Sequence, residues 1–351
     1  MEWFTDLFSN CQQWLFETAV QPLVYGIGLG GYVEDAFAAT GWLLVGLIQI
    51  AVLIAVIGPL QRWRPAEPVV DRRAIRTDVL YTLIHRLGLF RLGMFFLLQP
   101  LFDDGLGLLR GAGWGTLHLD ELWPGVTDVP WVALVMYLIV LDFVEYLIHR
   151  GQHRFDWWWG LHSLHHSQRQ MTMWSDNRNH LLDDILHDTI IVLVAQLIGV
   201  APGQFIAIVA FTQLTQSLQH ANLRIGFGAI GERLWISPRF HRVHHAIGIG
   251  HESPIVPKTR AAGPPQGAAA PSGGSAAHEV ASVGVKLGGH NFGVLLPWWD
   301  MLFRTVNFEP HYDPTGIRDQ VEPDAQGRLR DYGRGFWSQQ WRGLRRMVGR
   351  G

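Results

Sequence analysis

Cysteine and charge are both scarce in this sequence. Cys11 is the single cysteine among 351 residues, so an internal disulfide is impossible, and the thiolate-rich sites of iron–sulfur and many zinc proteins are excluded. Charged residues make up 17% of the chain, and the formal net charge is −2. A chain without a surplus of basic residues lacks the electrostatic footprint for DNA or RNA, so we expect no nucleic-acid partner.

Apolar residues are abundant instead. They account for 48% of the sequence, the mean hydropathy is positive, and sixteen residues are tryptophan. Tryptophan is enriched at membrane–water interfaces, because its ring is apolar and its N–H is polar. This composition predicts an integral membrane protein whose body is a bundle of transmembrane helices.

Three apolar runs are long enough to cross a hydrocarbon core of about 30 Å. Residues 42–60 carry no charge, residues 80–102 include arginines and are expected to enter obliquely, and residues 129–148 form the third run. The loop between the first two runs is rich in arginine, which places it in the cytoplasm by the positive-inside rule. Residues 1–41 contain no Lys or Arg, so we expect them outside.

Two shorter apolar runs follow at residues 185–200 and 203–218. Each has about sixteen residues, which is short for a crossing, so a hairpin that dips in from the cytoplasmic side and two complete spans are both open. In either case the chain returns to the side that it left. His180 and His220 flank this pair and are therefore expected on the same face as the histidines that follow the third run.

Three histidine clusters stand in the second half of the chain, with the spacings H-x-x-x-H, H-x-x-H-H and H-x-x-H-H. Positions i, i+3 and i+4 share one face of a helix, so the imidazoles of each cluster can reach one ion. A lone histidine is usually a hydrogen-bonded core residue, but three spaced clusters predict a metal site. Eight ligands are too many for one metal and suit two. The eight are His149, His153, His162, His165, His166, His241, His244 and His245.

Two carboxylates lie inside the third apolar run, where a lone charge is costly and usually functional or paired. At helical spacing Asp142 and Glu145 fall on the same stripe as His149 and His153. We therefore expect both acids to orient these imidazoles by hydrogen-bonding the ring nitrogen that faces away from the metal. Pairing of an acid with Arg150 is the simpler alternative.

Imidazole accepts Zn, Cu, Fe or Ni, so the ligand type alone does not choose the metal. A histidine-rich cap on a lipid-facing helix bundle indicates a substrate taken from the bilayer, and the difficult reaction on a lipid is attack on an unactivated C–H bond. That reaction needs a redox metal that activates oxygen, for which two irons are the simplest choice. A zinc pair would instead imply hydrolysis, which needs only three ligands and an open position.

The end of the chain is compositionally different from the membrane region. Residues 252–288 are rich in Gly, Ala, Pro and Ser, which predicts a flexible insert, since this composition buries too little apolar area to offset its ordering. Arginines between 328 and 350 suit the anionic cytoplasmic leaflet, and an ordinary solvated tail is equally compatible with them.

With its histidine clusters in this order, the sequence resembles the fatty acid hydroxylase and sterol desaturase superfamily of integral membrane di-iron enzymes, from about residue 129 to 305. The resemblance rests on the residues around the clusters as well as on the clusters. These are Asp142 and Tyr146, L-H-S-L-H-H-S at 161–167, R-x-H at 178–180 with Asp183, H-A-N at 220–222, P-R-F-H-R-V-H-H at 238–245, N-F-G at 291–293 and W-D-x-x-F-x-T at 299–305.

The resemblance implies an O2-dependent hydroxylase or desaturase in which the eight histidines are the metal ligands. It adds His180 and His220 as further ligands, and Asp183 and Asn291 as residues that support the ligands. It also implies a separate electron donor, a ferredoxin, cytochrome or reductase, since the chain has no fused haem domain and no cysteine set of its own. In one departure from the family, Gln216 stands where some members have a further histidine.

The predicted architecture is all-α, a multi-span transmembrane helix bundle with a cytoplasmic histidine-rich helical cap. Residues 1–128 form an N-terminal membrane region with two spans, residues 129–305 the catalytic domain interrupted at 252–288, and residues 306–351 a basic tail. The predicted function is di-iron hydroxylation or desaturation of a membrane lipid, with zinc possible in a purified form. A di-metal membrane hydrolase and a metal- or haem-carrying membrane protein are the alternatives.

Overall fold

The computed structural model describes residues 2–247, 289–324 and 326–350. The flexible insert predicted at 252–288 lies outside these described residues. Within them the chain is helical and forms no β-strand; one antiparallel bridge joins Ala246 to Thr315. The prediction of an all-α fold is confirmed.

The described α-helices lie in the following order along the chain. The N-terminal half contains α1 (Glu2–Leu15), α2 (Gln21–Gly26), α3 (Val33–Val52), α4 (Gly58–Trp63), α5 (Arg72–Arg86) and α6 (Leu89–Gly111). The second half contains α7 (Pro130–Arg154), α8 (Asp156–His166), α9 (Leu181–Leu197), α10 (Pro202–His220), α11 (Gly228–Leu234), α12 (Pro238–His244), α13 (Trp298–Phe303) and α14 (Phe336–Met347).

Two of the described helices are long and apolar enough to cross a membrane. The first runs from Gly30 to Trp63, because a π-helical turn at Leu53–Ile57 joins α3 to α4. The second is α7, which starts with a proline at its first turn, where the missing N–H costs nothing. These helices contain the predicted runs at 42–60 and 129–148.

The predicted run at 80–102 does not form one straight helix. Helices α5 and α6 meet at a bend of 52°, where Gly88 adopts a left-handed φ of +79°. The pair counts as a third span only if both halves belong to one broken crossing. Asp71 begins α5 by accepting hydrogen bonds from the N–H groups of Arg73 and Ala74.

Helices α9 and α10 cover the two shorter apolar runs. Neither helix has the combination of length and hydropathy found in the two candidate spans, and both the hairpin and the two complete crossings stay predictions. The two flanking histidines lie at the outer ends of this helix pair: His180 precedes α9, and His220 is the last residue of α10.

Close backbone approaches and buried polar contacts hold these helices together. Arg86 of α5 is buried and donates to Gln49 of α3 and to Gln213 and Ser217 of α10, and it pairs with Asp176 at 2.9 Å. Such a network leaves few unsatisfied donors in a region that water does not reach. The four partners fix the position of α5 between α3 and α10.

Gly46 marks the closest approach of α3 to α5, and we expect a methyl group there to separate the two helices. A Cβ at Gly46 would lie 1.6 Å from the carbonyl oxygen of Arg86. Gly46→Ala should therefore lower stability by about 1–3 kcal/mol, as overpacking does, seen as a lower midpoint of thermal unfolding in detergent. Gly107→Ala in α6, where a Cβ meets nothing within 4 Å, is the matched control and should be neutral or slightly stabilising. Equal behaviour of the two variants would contradict the packing described here.

Candidate metal centre

Nine buried histidines converge in this structure. Eight of them form two groups of four, and the ninth lies between the groups. In each group one ring nitrogen from every member lies within 4.8 Å of all the others. The first group is His149, His153, His162 and His166; the second is His165, His220, His241 and His245. The ninth, His244, forms a third group with His166 and His245 and so connects the two sets.

Four helices deliver these side chains, and three of them end at a member of the cluster. Helices α8, α10 and α12 have His166, His220 and His244 as their last residues, while α7 supplies His149 and His153 from its final two turns. Unpaired carbonyls at helix C-termini carry partial negative charge, which favours a cation. The convergence of helix ends therefore suits metal binding as well as bringing the rings together.

Ring nitrogens in the second group approach each other directly. The Nε2 atom of His220 lies 3.1 Å from Nε2 of His165 and 3.0 Å from Nε2 of His241, which is 3.2 Å from Nε2 of His245. Two nitrogens that are each about 2.1 Å from one ion stand about 3.0 Å apart at a right angle. The spacing of the rings thus fits a shared metal ion of the size that imidazole binds.

Several rings are oriented by a hydrogen bond on the nitrogen remote from the cluster. The Nδ1–H groups donate to main-chain carbonyls in three cases: His149 to Phe292 at 2.8 Å, His220 to Gln216 at 2.9 Å and His244 to His290 at 2.6 Å. This tautomer leaves the Nε2 lone pair available for a metal. The Nε2 atoms of His166 and His244 are buried without a hydrogen-bond partner in the described chain, as expected of metal ligands.

Burial also keeps the imidazoles uncharged. It is the largest cause that lowers the pKa of five cluster members that lie outside the candidate spans, and the neighbouring imidazoles lower the pKa of all five further. In His244, where the carbonyl of His290 opposes the shift, the pKa still falls to about 3. A neutral ring is the form that binds metal. The five are His165, His166, His241, His244 and His245.

Asp183 contacts the cluster directly. Its Oδ2 accepts a hydrogen bond from Nδ1 of His162 at 3.0 Å, and its Oδ1 accepts from Gln152 at 2.8 Å and from Trp158 at 2.6 Å. The carboxylate is held from two sides, so it fixes the ring of His162 with Nε2 towards the first group. This is the arrangement expected of an acid that supports a metal-bound histidine.

The two acids of α7 have other partners than expected. Asp142 accepts from the N–H groups of Leu295 and Leu296 and from Nε1 of Trp299; it touches no ring of the cluster. It anchors the segment whose Phe292 carbonyl holds His149, so its action on the histidines is indirect. Glu145 lies 2.6 Å from Nε2 of His187 and does not orient a cluster histidine.

Asn291 supports the cluster through the main chain. It adopts a left-handed φ of +61°, and its Nδ2 donates to the carbonyls of Phe240 and Asn307. Phe240 immediately precedes His241, so Asn291 fixes the start of the third histidine cluster. Asp300 closes the same loop by accepting from the N–H groups of Phe292 and Gly293.

His180 stands apart from the cluster, so the structure does not support its predicted role as a ligand. Its Nδ1 accepts from the N–H of Leu182 at 3.1 Å, which caps α9, and its Nε2–H donates to the carbonyl of Gln340 at 2.8 Å. Both ring nitrogens are used, and none remains for a metal. His220, the other histidine implied by the resemblance, lies inside the second group.

A cavity of about 430 Å³ adjoins the histidines. His149, His162, His165, His220 and His241 line it at the cluster, followed by the polar side chains of Gln152, Gln216 and Gln219. Apolar side chains of α6 and α10 also line it, among them Phe95, Leu98, Phe205 and Val209, and so do the charged side chains of Arg86 and Arg91. A pocket with a mixed apolar and polar lining can hold the apolar chain of an amphiphile and hydrogen-bond its polar part.

Sequence reasoning missed a partly buried ionic group in the cavity wall. His85 lies 3.1 Å from Asp184, and His187 lies between Glu145 and Asp188 at 2.6 and 2.9 Å. The signal was present, because His187 is four residues after Asp183 and so shares its face of α9. It was hidden by the interpretation of this segment as an apolar hairpin.

Comparison with known proteins agrees with the histidine motifs. Residues 134–252 match the family model described as fatty acid hydroxylase. Alkylglycerol monooxygenase of Caenorhabditis elegans is 26% identical over 205 residues, 57% of this chain and 31% of that protein. Ornithine lipid hydroxylase OlsE of Rhizobium tropici is 24% identical over 236 residues, 64% of this chain and 66% of that protein.

The chain thus covers less than two thirds of the length of either relative. No solved structure matches it. The resemblance inferred from the three histidine clusters is nevertheless confirmed, because the family match includes all of them.

We predict that Asp183→Asn weakens metal binding by about 10- to 100-fold, the usual effect of removing an acid behind a metal-bound histidine. Asparagine keeps one acceptor oxygen for Gln152 and Trp158. Its NH2 group has no negative charge and cannot accept the hydrogen bond from Nδ1 of His162. Metal content after dialysis against graded chelator is the measurement. Asp184→Asn is the matched control, since Asp184 pairs with His85 outside the cluster. Unchanged retention in Asp183→Asn would contradict the role given to this carboxylate.

We further predict that the metal-free protein loses stability as pH falls below the ordinary histidine pKa of 6.5. The folded-state pKa values of five cluster histidines are lowered, so the unfolded chain binds more protons, and each such group costs up to about 1.4 kcal/mol per pH unit. Asp300, whose pKa burial raises to about 6, acts in the opposite sense, as do Asp184 and His187, whose pKa values are also raised, so these groups reduce the loss. Denaturant midpoints at pH 7.5 and 5.5 would measure the loss; equal midpoints would contradict it.

Proposed function

We propose that this chain, which carries a fatty acid hydroxylase domain over residues 134–252, is a membrane-bound di-iron enzyme that uses O2 to hydroxylate or desaturate a lipid chain. One observation carries the proposal: two groups of four buried imidazoles adjoin a cavity that apolar side chains of α6 and α10 also line. Both relatives described above are named for oxidation of a lipid, which supports a lipid as the substrate class.

In this proposal the two four-histidine groups each hold one iron. Two irons would supply the O2 activation that attack on an unactivated C–H bond requires. His244 contacts members of both groups, so it would be a ninth ligand, bound to one of the two irons. Imidazole also accepts zinc, so a purified form containing zinc is compatible with the ligand set but not with the proposed reaction.

The protein's own contribution is to position the lipid and to exclude water. Aromatic and aliphatic side chains of α6 and α10 that line the cavity, among them Phe95, Leu98 and Val209, would hold an apolar chain. Gln152, Gln216 and Gln219 next to the histidines would hydrogen-bond the polar part of the same molecule. The reacting carbon is then held at the histidine end, where burial keeps competing water away.

Further parts of the proposal concern location and partners. The two apolar helices and the lipid-oxidising relatives indicate a membrane protein; we propose a multi-pass topology with the active site on the cytoplasmic face, since the loop before α5 is rich in arginine. We propose a separate ferredoxin, cytochrome or reductase as the electron donor. The domain limits at residues 128, 129, 305 and 306 stay predictions.

The decisive experiment combines metal analysis with isotope labelling. Protein purified from its membrane should contain about two irons per chain, as two ligand groups predict. With a reductase–ferredoxin pair, NADPH and lipid extract under ¹⁸O2, a hydroxylase should place one ¹⁸O in a lipid product, whereas a desaturase should remove two hydrogens without label. His165→Ala, in the second group, should abolish either product.

His311→Ala is the matched control, because His311 is exposed and lies outside the cluster; it should keep full activity. Two zinc ions per chain without iron under native expression, together with no lipid-dependent oxygen consumption, would overturn the proposal and favour a hydrolase. A haem signal in the reduced-minus-oxidised absorbance spectrum would favour a haem carrier instead.

A further inference from the structure

Helix α14 (Phe336–Met347) is amphipathic but packs with its polar side inwards. Its buried residues are polar or glycine, namely Gln339, Gln340, Gly343 and Arg346, and the ring of Phe336 at its start packs on Tyr81. The outward side is an apolar stripe at helical spacing. Its members, with their exposed fractions, are Trp337 at 80%, Trp341 at 64%, Leu344 at 36% and Val348 at 58%.

An amphipathic helix on a protein surrounded by water normally turns its apolar side to the core. Rotation of α14 to that orientation is prevented by specific contacts. Gln340 donates to the Tyr81 hydroxyl at 2.9 Å and accepts from the N–H of Leu181, while its carbonyl accepts from His180. Arg346 donates to the carbonyl of Gly160 and stacks over Tyr332.

The segment that carries the stripe is cationic. Residues 332–350 contain no Asp or Glu, and Arg345 and Arg350 are exposed, whereas Arg342 pairs with Asp331 at 2.8 Å. Tryptophans on one side of a helix with arginines along its border are typical of helices that lie in the membrane interface. The arginines fit anionic headgroups, and the tryptophans fit the boundary between headgroups and acyl chains.

We propose that α14 lies in the interface of an anionic membrane, with Trp337, Trp341 and Leu344 inserted below the headgroups. Lipid is then the occupant of a side of α14 that the described chain leaves uncovered. The inference is independent of the reaction that the histidines support, because it uses none of the cluster residues.

This membrane contact also bears on the histidines through α8. Gly160 of α8 lies so close to α14 that a Cβ there would be 2.6 Å from the N–H nitrogen of Met347. Helix α8 carries His162, His165 and His166. A helix anchored at the interface thus holds one wall of the histidine cluster at a fixed depth relative to the bilayer.

The test is a depth measurement on the full chain in nanodiscs that hold a single copy. In a Cys11→Ser background, a nitroxide is attached at Trp341→Cys, and at Trp337→Cys as a second site on the stripe. Gln326→Cys, at an exposed polar residue outside α14, is the control. We expect O2 to relax the labels at 341 and 337 several-fold more than a water-soluble nickel chelate does in phosphatidylglycerol-containing discs, with the order reversed at 326.

Labels at 341 and 337 that are open to the nickel chelate in the single-copy disc would overturn the proposal. Protection that appears only when two labelled chains share a disc, with dipolar broadening between the labels, would assign the stripe to a second copy and also overturn it. Arg345→Gln should make the label at 341 shallower in anionic discs and leave it unchanged in phosphatidylcholine discs. Equal depth in both disc types for the parent chain would overturn the anionic part.

Discussion

The rest of this structure depends on the burial of nine imidazoles around one small volume. Removing polar rings from water is costly unless each ring nitrogen has a partner. Main-chain carbonyls and Asp183 satisfy the outer nitrogens of four rings, and the inner nitrogens face one another at distances that fit shared metal ions. This arrangement supports the proposed binding of cations, and the ends of α8, α10 and α12 add the matching partial charge.

The parts of the fold that hold the cluster follow from this demand. The loop around Asn291 and Phe292 carries the carbonyl that orients His149, and Asp142 and Asp300 tie that loop down through its N–H groups. The acids that surround the site therefore act at different distances. Asp183 contacts a cluster histidine directly, whereas Asp142 and Asp300 fix the main-chain segment whose carbonyl contacts a cluster histidine.

Much of the metal centre could be predicted from the sequence, because i, i+3 and i+4 spacing puts rings on one side of a helix whatever the helix packs against. The same reasoning was less successful for the acids. Asp142 and Glu145 share the stripe of His149, yet Asp142 binds the N–H groups of Leu295 and Leu296, and Glu145 binds His187. A stripe fixes direction from one helix, but which neighbouring element supplies the partner depends on the packing of others.

The sequence by itself determined the helical class, two membrane-length helices and the three histidine clusters, since hydrophobic runs and helical spacing are local properties. Only the tertiary structure decided how the clusters divide into two groups: the first group joins the consecutive helices α7 and α8, whereas the second joins His165 of α8 to rings that follow it by 55 or more residues. The tertiary structure also decided that His220 belongs to the metal centre and that His180 does not, although both flank the same pair of helices. The Nε2 of His180 is taken by the carbonyl of Gln340, 160 residues away, and a contact over that distance has no signature in local spacing.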